Sequence, residues 1–299
     1  MDLQALKVFQ TVAKMGTISA AARELNYAQS NITTKIQQLE NHLQTTLFHR
    51  HNRGIILTSK GESLLIYAKR IFRLIDETNK VMKDDQTPKG PLMIGSMETT
   101  AAIRLPALLS KYHQGYPDVD LTIITGPTEQ HLHGVLQYEL DGAFVSGPIE
   151  HPEIIQETVF EEELVLITDM KQPSLSSLKE IENRTLLVFR SGCSYRAKLE
   201  DWLHQEGVVP NKIMEFGTLD AIIGCVAAGL GISMLPYSVV AKQINGGTLR
   251  QHKLPNPYGK VDTLFIYRKD KYVATPLTKF LNLLSEEKGL GEARNLIQI

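Results

Sequence analysis

Near the start of the chain, apolar residues recur at three- and four-residue steps, the spacing of one buried helical face. Leu3, Leu6, Phe9, Val12 and Ala13 mark a helix over roughly Asp2 to Met15, with Gly16 as its stop. Ile18, Ala21, Ala22 and Leu25 mark a second helix, and beyond a break at Asn26-Tyr27 the positions Ile32, Ile36, Leu39 and Leu43 mark a third. Two short helices across a tight break are the sequence form of a helix-turn-helix. The small alanines let the two backbones approach closely where they cross. Off its apolar stripe the third helix carries Gln29, Ser30, Asn31, Thr33, Thr34 and Lys35, short hydrogen-bonding groups of the kind that base edges and phosphates require.

The period then changes. Leu47-Phe48 and Ile55-Ile56-Leu57 flank the polar run His49-Arg50-His51-Asn52-Arg53-Gly54, which predicts a β-hairpin wing with a basic tip. Such a tip beside a recognition helix suits phosphate contact. Thr58-Ser59-Lys60-Gly61 opens a long helix to about Met82, in which Leu64, Ala68, Ile71, Ile75, Thr78 and Met82 step by fours and threes. That is a heptad seam expected to meet another helix, over roughly 30 Å at about 1.5 Å per residue. Asp84 to Pro91 is polar and rich in proline and glycine, a hinge.

From Leu92 onward short apolar runs alternate with amphipathic stretches. Strands are expected at Leu92-Gly95, Val119-Ile124, Gly142-Val145, Leu164-Ile167, Thr185-Phe189, near Ile213-Phe216, at Gly231-Pro236 and at Thr263-Tyr267. Helices are expected at 101–112, 130–139, 195–206, 219–228 and 276–287. This alternation predicts an α/β body with mostly parallel sheets.

The N-terminal segment resembles the winged helix-turn-helix of the LysR-type transcriptional regulators. Leu3, Leu6, Phe9, Val12, Ala13, Ser19-Ala20-Ala21, Leu25, Gln29-Ser30, Ile32, Ile36, Leu39-Glu40, Leu43, Leu47-Phe48, Arg50, Leu57-Thr58 and Gly61 carry the likeness. Two positions depart from the family pattern: Ala28 replaces the usual hydroxyl cap of the recognition helix, and Asn31 replaces a small apolar residue. The resemblance implies DNA contacts from Ser19, Gln29, Ser30, Asn31, Thr33, Thr34, Lys35, Arg50 and Arg53. It also implies a dimerising linker helix, homodimers assembling into homotetramers, and promoter DNA and RNA polymerase as partners. The body is similar to the family's effector domain, which shares its fold with periplasmic solute-binding proteins: two α/β lobes joined by two crossing strands. The expected division is 1–58 for the DNA-binding head and 59–90 for linker and hinge. Lobe one then takes 91–162 with 267–299, and lobe two 163–266.

Charge agrees with that polarity. Residues 1–90 hold thirteen Lys or Arg against eight Asp or Glu, about +5, and the remainder is about −6. No leader-like N-terminal pattern and no run of spanning length is present in the sequence, and the two cysteines lack metal-type spacing, so a reducing cytoplasmic setting is expected.

Open α/β sheets bind ligands beyond the carboxyl ends of their strands, where helix N-termini offer free amides. Four segments fit: Ser96-Met97-Glu98-Thr99-Thr100, Gly126-Pro127-Thr128-Glu129, Ser191-Gly192-Cys193-Ser194 and Gly217-Thr218. Ser96, Glu98, Thr99, Thr100, Thr128, Ser191, Cys193 and Thr218 are therefore the candidate effector contacts. Their convergence favours a small, anionic ligand, with no metal and no cofactor, while Glu98 and Glu129 leave the sign of its charge open. Arg196 has two readings, a carboxylate anchor or a partner for Glu200 one turn on. Tyr195 and Phe189 are either pocket or core. Cys193 supports an alternative, a thiol-based redox regulator, since peroxide-sensing family members keep a reactive cysteine near this place beside an arginine. Enzyme motifs are missing: Gly229-Leu230-Gly231 is an incomplete dinucleotide fingerprint, and no nucleophile elbow or phosphate loop occurs. His131-Leu132-His133 could bind a metal, but its neighbours supply no convincing further ligands, so a solvated helix face is the default.

Overall fold

The computed structural model describes residues 1–296 apart from 52–53, 83–86, 173–180, 182–183 and 270–272, and leaves aside the side chains at 50, 73, 76, 77, 80, 81 and 288–296. The chain divides into two compact units, Met1–Asp84 and Asp85–Ile299.

The first unit contains α1 (Leu3–Met15), α2 (Ile18–Glu24), α3 (Gln29–Leu43), β1 (Phe48–His51), β2 (Gly54–Leu57) and α4 (Ser59–Met82). Asp2 caps α1 by accepting from the Ala5 amide at 2.6 Å, and Thr17 caps α2 by accepting from Ala20. Gly16 ends α1 at φ 69°, a left-handed conformation that glycine adopts without a Cβ penalty. Phe9, Val12, Ala21, Ile32, Ile36, Leu39, Leu47 and Ala68 form one buried core. Glu40 Oε1 accepts from the amides of Leu47 and Phe48 and so fastens α3 to the wing. Thr58 Oγ1 accepts from the Gly61 amide, and a Cβ on Gly61 would lie 2.2 Å from the Leu47 carbonyl oxygen. Only glycine fits that crossing.

One expectation changes here. In α4 the predicted seam residues Leu64, Ala68 and Ile71, with Leu65 and Phe72, pack on the head's own core. Among its described residues, the large apolar ones that α4 leaves exposed are Ile66, Tyr67, Leu74 and Met82. A heptad pattern records that a helix is packed, not by whom.

The second unit contains β3 (Gly90–Ser96), α5 (Glu98–Ile103), α6 (Leu105–Gly115), β4 (Val119–Thr125), α7 (Thr128–Leu136), β5 (Gly142–Ser146) and β6 (Ile154–Asp169). It continues with β7 (Thr185–Phe189), α8 (Ser194–Gln205), β8 (Lys212–Phe216), α9 (Leu219–Ala227), β9 (Ser233–Pro236), α10 (Tyr237–Asn245), β10 (Leu249–Lys253), β11 (Lys260–Arg268) and α11 (Thr275–Leu296). The main sheet runs β10-β6-β11-β5-β3-β4, with β9 also on β6, while β7 and β8 pair separately. The pairs β3–β4, β3–β5 and β7–β8 are parallel, but β6 is antiparallel to β9, β10 and β11, and β11 to β5. The sheet is therefore mixed, a correction to the expected parallel order. Its cause is that β6 and β11 run across both lobes side by side.

Those two strands serve cores at both ends. Phe265 and Tyr267 of β11 join Leu92, Ile94, Tyr112, Phe144 and Phe280 in lobe one, where Phe144 meets Phe265 edge-on at 4.9 Å. In lobe two, Leu164 and Leu166 of β6 face a core with Leu186, Tyr195, Leu199 and Trp202. Val165 and Ile167 face the opposite core with Leu187, Ile222 and Leu235. Burial on both faces explains the continuous apolar run Leu164-Val165-Leu166-Ile167. The preceding half of β6, richer in polar residues, carries no such signal. The single helix expected at 101–112 is two, broken at Arg104 with Pro106 in the first turn of α6.

Candidate functional site

Two places carry the chemistry, one in each unit. In the head, α3 buries Ile32, Ile36 and Leu39 and leaves Gln29, Ser30, Asn31 and Thr34 exposed on the opposite side. Thr33 and Lys35 are half-buried. Thr33 Oγ1 donates to the Gln29 carbonyl at 3.0 Å, and Lys35 Nζ donates to Gln4 Oε1 at 2.9 Å. Gln4 Nε2 in turn donates to the Tyr27 hydroxyl, so Lys35 is held against α1. Ser19 is exposed, its hydroxyl 3.4 Å from that of Thr17. Ala28 provides no side-chain cap, so the first amides of α3 remain open at the same end as its polar residues. His49 and His51 are exposed on β1. The Arg50 side chain and Arg53 lie outside the described residues.

In the second unit, a cavity of about 520 Å³ lies between the lobes. Its wall includes Glu98, Thr99, Thr128, Ser191, Cys193 and Thr218, six of the eight candidates. Ser96 and Thr100 are not among the lining residues. Ser96, at the end of β3, is fully buried with its Oγ donating to the Met97 carbonyl, and Thr100 is buried as well. A position in the right loop does not guarantee a side chain in the cleft. Sequence reasoning missed Arg190, Gln130, Thr125 and Phe216, all of which line the cavity, and named Ser194 only as part of its segment. Arg190 is legible by the same strand-end rule, because it directly follows β7, one residue before Ser191.

Four helices start at this cavity. The cap residues of α5, α7, α8 and α9 are Met97, Pro127, Cys193 and Thr218; none makes a side-chain cap bond, and all four line the wall. Helix N-termini with unspent amides attract negative charge. Thr128 Oγ1 already accepts from the Ser146 amide at 3.1 Å, which leaves its hydroxyl proton to donate. Thr99 Oγ1 and the Tyr195 hydroxyl, both in the cavity lining, meet at 3.3 Å and join lobe one to lobe two. Burial pushes the Tyr195 phenol well above its ordinary range, so it stays protonated.

Arg196 takes its second reading: it pairs with Glu200 at 2.8 Å and with Glu215 at 2.5 Å. Cys193 is a free thiol, as is Cys225. Burial raises the Cys193 pKa against the lowering effects of the Arg196 and Tyr195 amides and the Arg196 charge. A raised thiol pKa opposes the thiolate that redox sensing needs. His131 corrects another expectation. Far from being solvated, it is 1% exposed, and its Nε2 lies 2.9 Å from the Ser96 carbonyl oxygen. Burial lowers its pKa, so it is a neutral ring beneath the β3–α5 turn. Among the described residues no cluster of metal-ligating side chains occurs, and no helix is long and apolar enough to cross a membrane.

Two family descriptions match this chain. Residues 3–62 fit a bacterial regulatory helix-turn-helix protein of the lysR family, and residues 85–289 fit a LysR substrate binding domain. The chain is 55% identical over 281 residues to the HTH-type transcriptional regulator GltR of Bacillus subtilis (strain 168), covering 94% of this chain and 95% of that one. It is 48% identical over 285 residues to the HTH-type transcriptional regulator SoxR of Arthrobacter sp. (strain TE1826), covering 95% and 96%. Full-length CbnR, solved in complex with its target DNA, shares the fold at a TM-score of 0.70 and 24% identity, over 96% of this chain and 100% of that one. The chain belongs to the LysR family, and is a DNA-binding transcriptional regulator with an effector-binding domain.

Proposed function

We propose that the regulator responds to a small molecule bearing an anionic group, held between the lobes of residues 91–299 and signalled to a DNA-reading head in residues 1–58. The carrying observation is the convergence of four uncapped helix N-termini on one cavity. In this reading Gln29, Ser30, Asn31 and Thr33 meet base edges, with Ser19 and Thr34 beside them. Lys35, Arg50 and Arg53 hold phosphates, Lys35 by exchanging Gln4 for a phosphate oxygen. The segment 59–90 pairs two copies along the exposed Tyr67, Leu74 and Met82 side of α4, and dimers associate into tetramers. The protein works in the cytoplasm, has no catalytic activity of its own, and acts on promoters that RNA polymerase serves. Ligand binding alters regulation by preferring one relative arrangement of the lobes over another.

Fluorescence anisotropy on operator DNA across a salt series tests the head. Replacing Arg50 by Ala should weaken binding to all sequences alike and lower the salt slope by about 1, whereas Gln29→Ala should alter sequence preference with the slope unchanged. An Arg50→Ala variant with full affinity and slope would remove the wing from the interface.

A further inference from the structure

We propose that the ligand of the inter-lobe cavity is a zwitterion, a small skeleton carrying a carboxylate and an ammonium in the manner of an α-amino acid. The inference rests on that cavity being the effector site. Its lining contains one basic side chain, Arg190, and one acidic side chain, Glu98. They stand on opposite lobes, and neither has an ion-pair or hydrogen-bond partner among the described residues. Glu98 is half-buried and Arg190 exposed at the mouth of the cleft, and a molecule seated between them would strip water from both, a cost that a ligand with the opposite charge at each end offsets.

The two walls differ in sign. On lobe two, α8 begins with neither a side-chain cap nor an acid in its first turn, whereas α9 carries the exposed Asp220 in its own, so the positive part of this wall is the α8 end. Arg190 and the hydroxyls of Ser191 and Ser194 stand beside it. Gly217 gives the guanidinium room, since a Cβ there would sit 3.4 Å from its terminal nitrogen. This wall suits a carboxylate, taken by charge-assisted bonds and the helix terminus together. On lobe one, both helices that reach the cavity carry an acid in the first turn, Glu98 in α5 and Glu129 in α7. Glu129 Oε2 reaches toward lobe two, 3.4 Å from where a Cβ on Gly192 would be. A second carboxylate on the ligand would be repelled by this wall, and an ammonium is drawn to it. Met97, Phe189 and Phe216 supply apolar surface for the skeleton between. A simple acid leaves Glu98 unmatched, and a simple amine leaves Arg190 unmatched.

The test uses the full-length chain. Isothermal titration with each of the twenty protein amino acids comes first, followed for every binder by the deaminated acid and the decarboxylated amine of the same skeleton. At least one amino acid should bind, and loss of either charged group should weaken it roughly 10- to 100-fold. Glu98→Gln should erase most of the preference for the amino acid over its deaminated acid, while Arg190→Gln should erase the preference over the amine. The ligand class is overturned if no amino acid binds, or if the amine-free acids bind as tightly and Glu98→Gln changes nothing. Failure of the site itself reads differently: amino-acid binding that survives Ser194→Trp, in a variant with its unfolding transition intact, places the ligand outside the cavity.

Discussion

The helices of the head and those around the cavity begin in different ways. In the head, α1 and α2 open on Asp2 and Thr17, whose side chains satisfy an amide of the first turn. Around the cavity, α5, α7, α8 and α9 open with no such bond, although Thr218 is a residue that could make one. The same local device is spent on stability in one region and withheld in the other. Helix α3 follows the cavity pattern rather than that of its neighbours. Helix α10 shows a third solution. It too lacks a cap, but the buried Glu162 lies against its first turn, with Oε2 accepting from Ser238 Oγ at 2.8 Å. There the anion is built into the chain.

The strongest way to break this contrast is to remove the built-in anion. Glu162 also accepts from Arg104 Nε at 2.9 Å, and Arg104 remains about one-third exposed. Glu162→Ala should therefore destabilise residues 85–299 by about 2–3 kcal/mol, at the low end for a broken buried pair because the stranded arginine keeps some water. Urea unfolding measures it, and a loss below about 0.5 kcal/mol would show that α10 needs no anion.

The next effect is one of pH. His131 is neutral when folded and its pKa is lowered by burial, so the unfolded chain binds the extra proton first. Stability should fall as pH drops below about 6.5, with a slope of up to about 1.4 kcal/mol per pH unit from this group. His131→Gln should remove that slope; a parallel pH profile in the variant would assign the acid sensitivity elsewhere.

Caps themselves come third. Thr17→Ala should cost about 1 kcal/mol of head stability. Thr218→Ala should cost less than about 0.5 kcal/mol, because no cap bond is lost. Equal losses from the two would erase the distinction between the regions. The smallest change is a gain: Ala28→Ser should stabilise the head by about 0.5 kcal/mol by supplying the missing cap, and should weaken operator binding. Thermal unfolding and anisotropy on one preparation read both signs.

Much of the head was legible, because its stripes Ile32, Ile36 and Leu39 and its stop at Gly16 are local signals. What stayed hidden was partner identity: Leu64, Ala68 and Ile71 look like an intermolecular seam and are spent on the head's own core. In the body, apolar runs announced strands buried on both faces but not the first half of β6, nor strand direction, which depends on pairings between residues far apart. The cleft was legible as loops and blurred as residues. Ser96 and Arg190 both sit at strand ends, and only the second lines the cavity. His131 gave no local sign of burial, since its partner, the Ser96 carbonyl, comes from another element.

Helix α5 is six residues long, about 9 Å from end to end. Its first residue is Glu98 on the cavity wall, and the residue that closes it, Arg104, grips Glu162 on the crossing strand β6. So short a rod cannot bend to absorb a pull. Its two ends move together, so Glu98 on the cavity wall is tied to β6 through the Arg104–Glu162 pair, as Thr99 of the same helix is tied to lobe two through Tyr195.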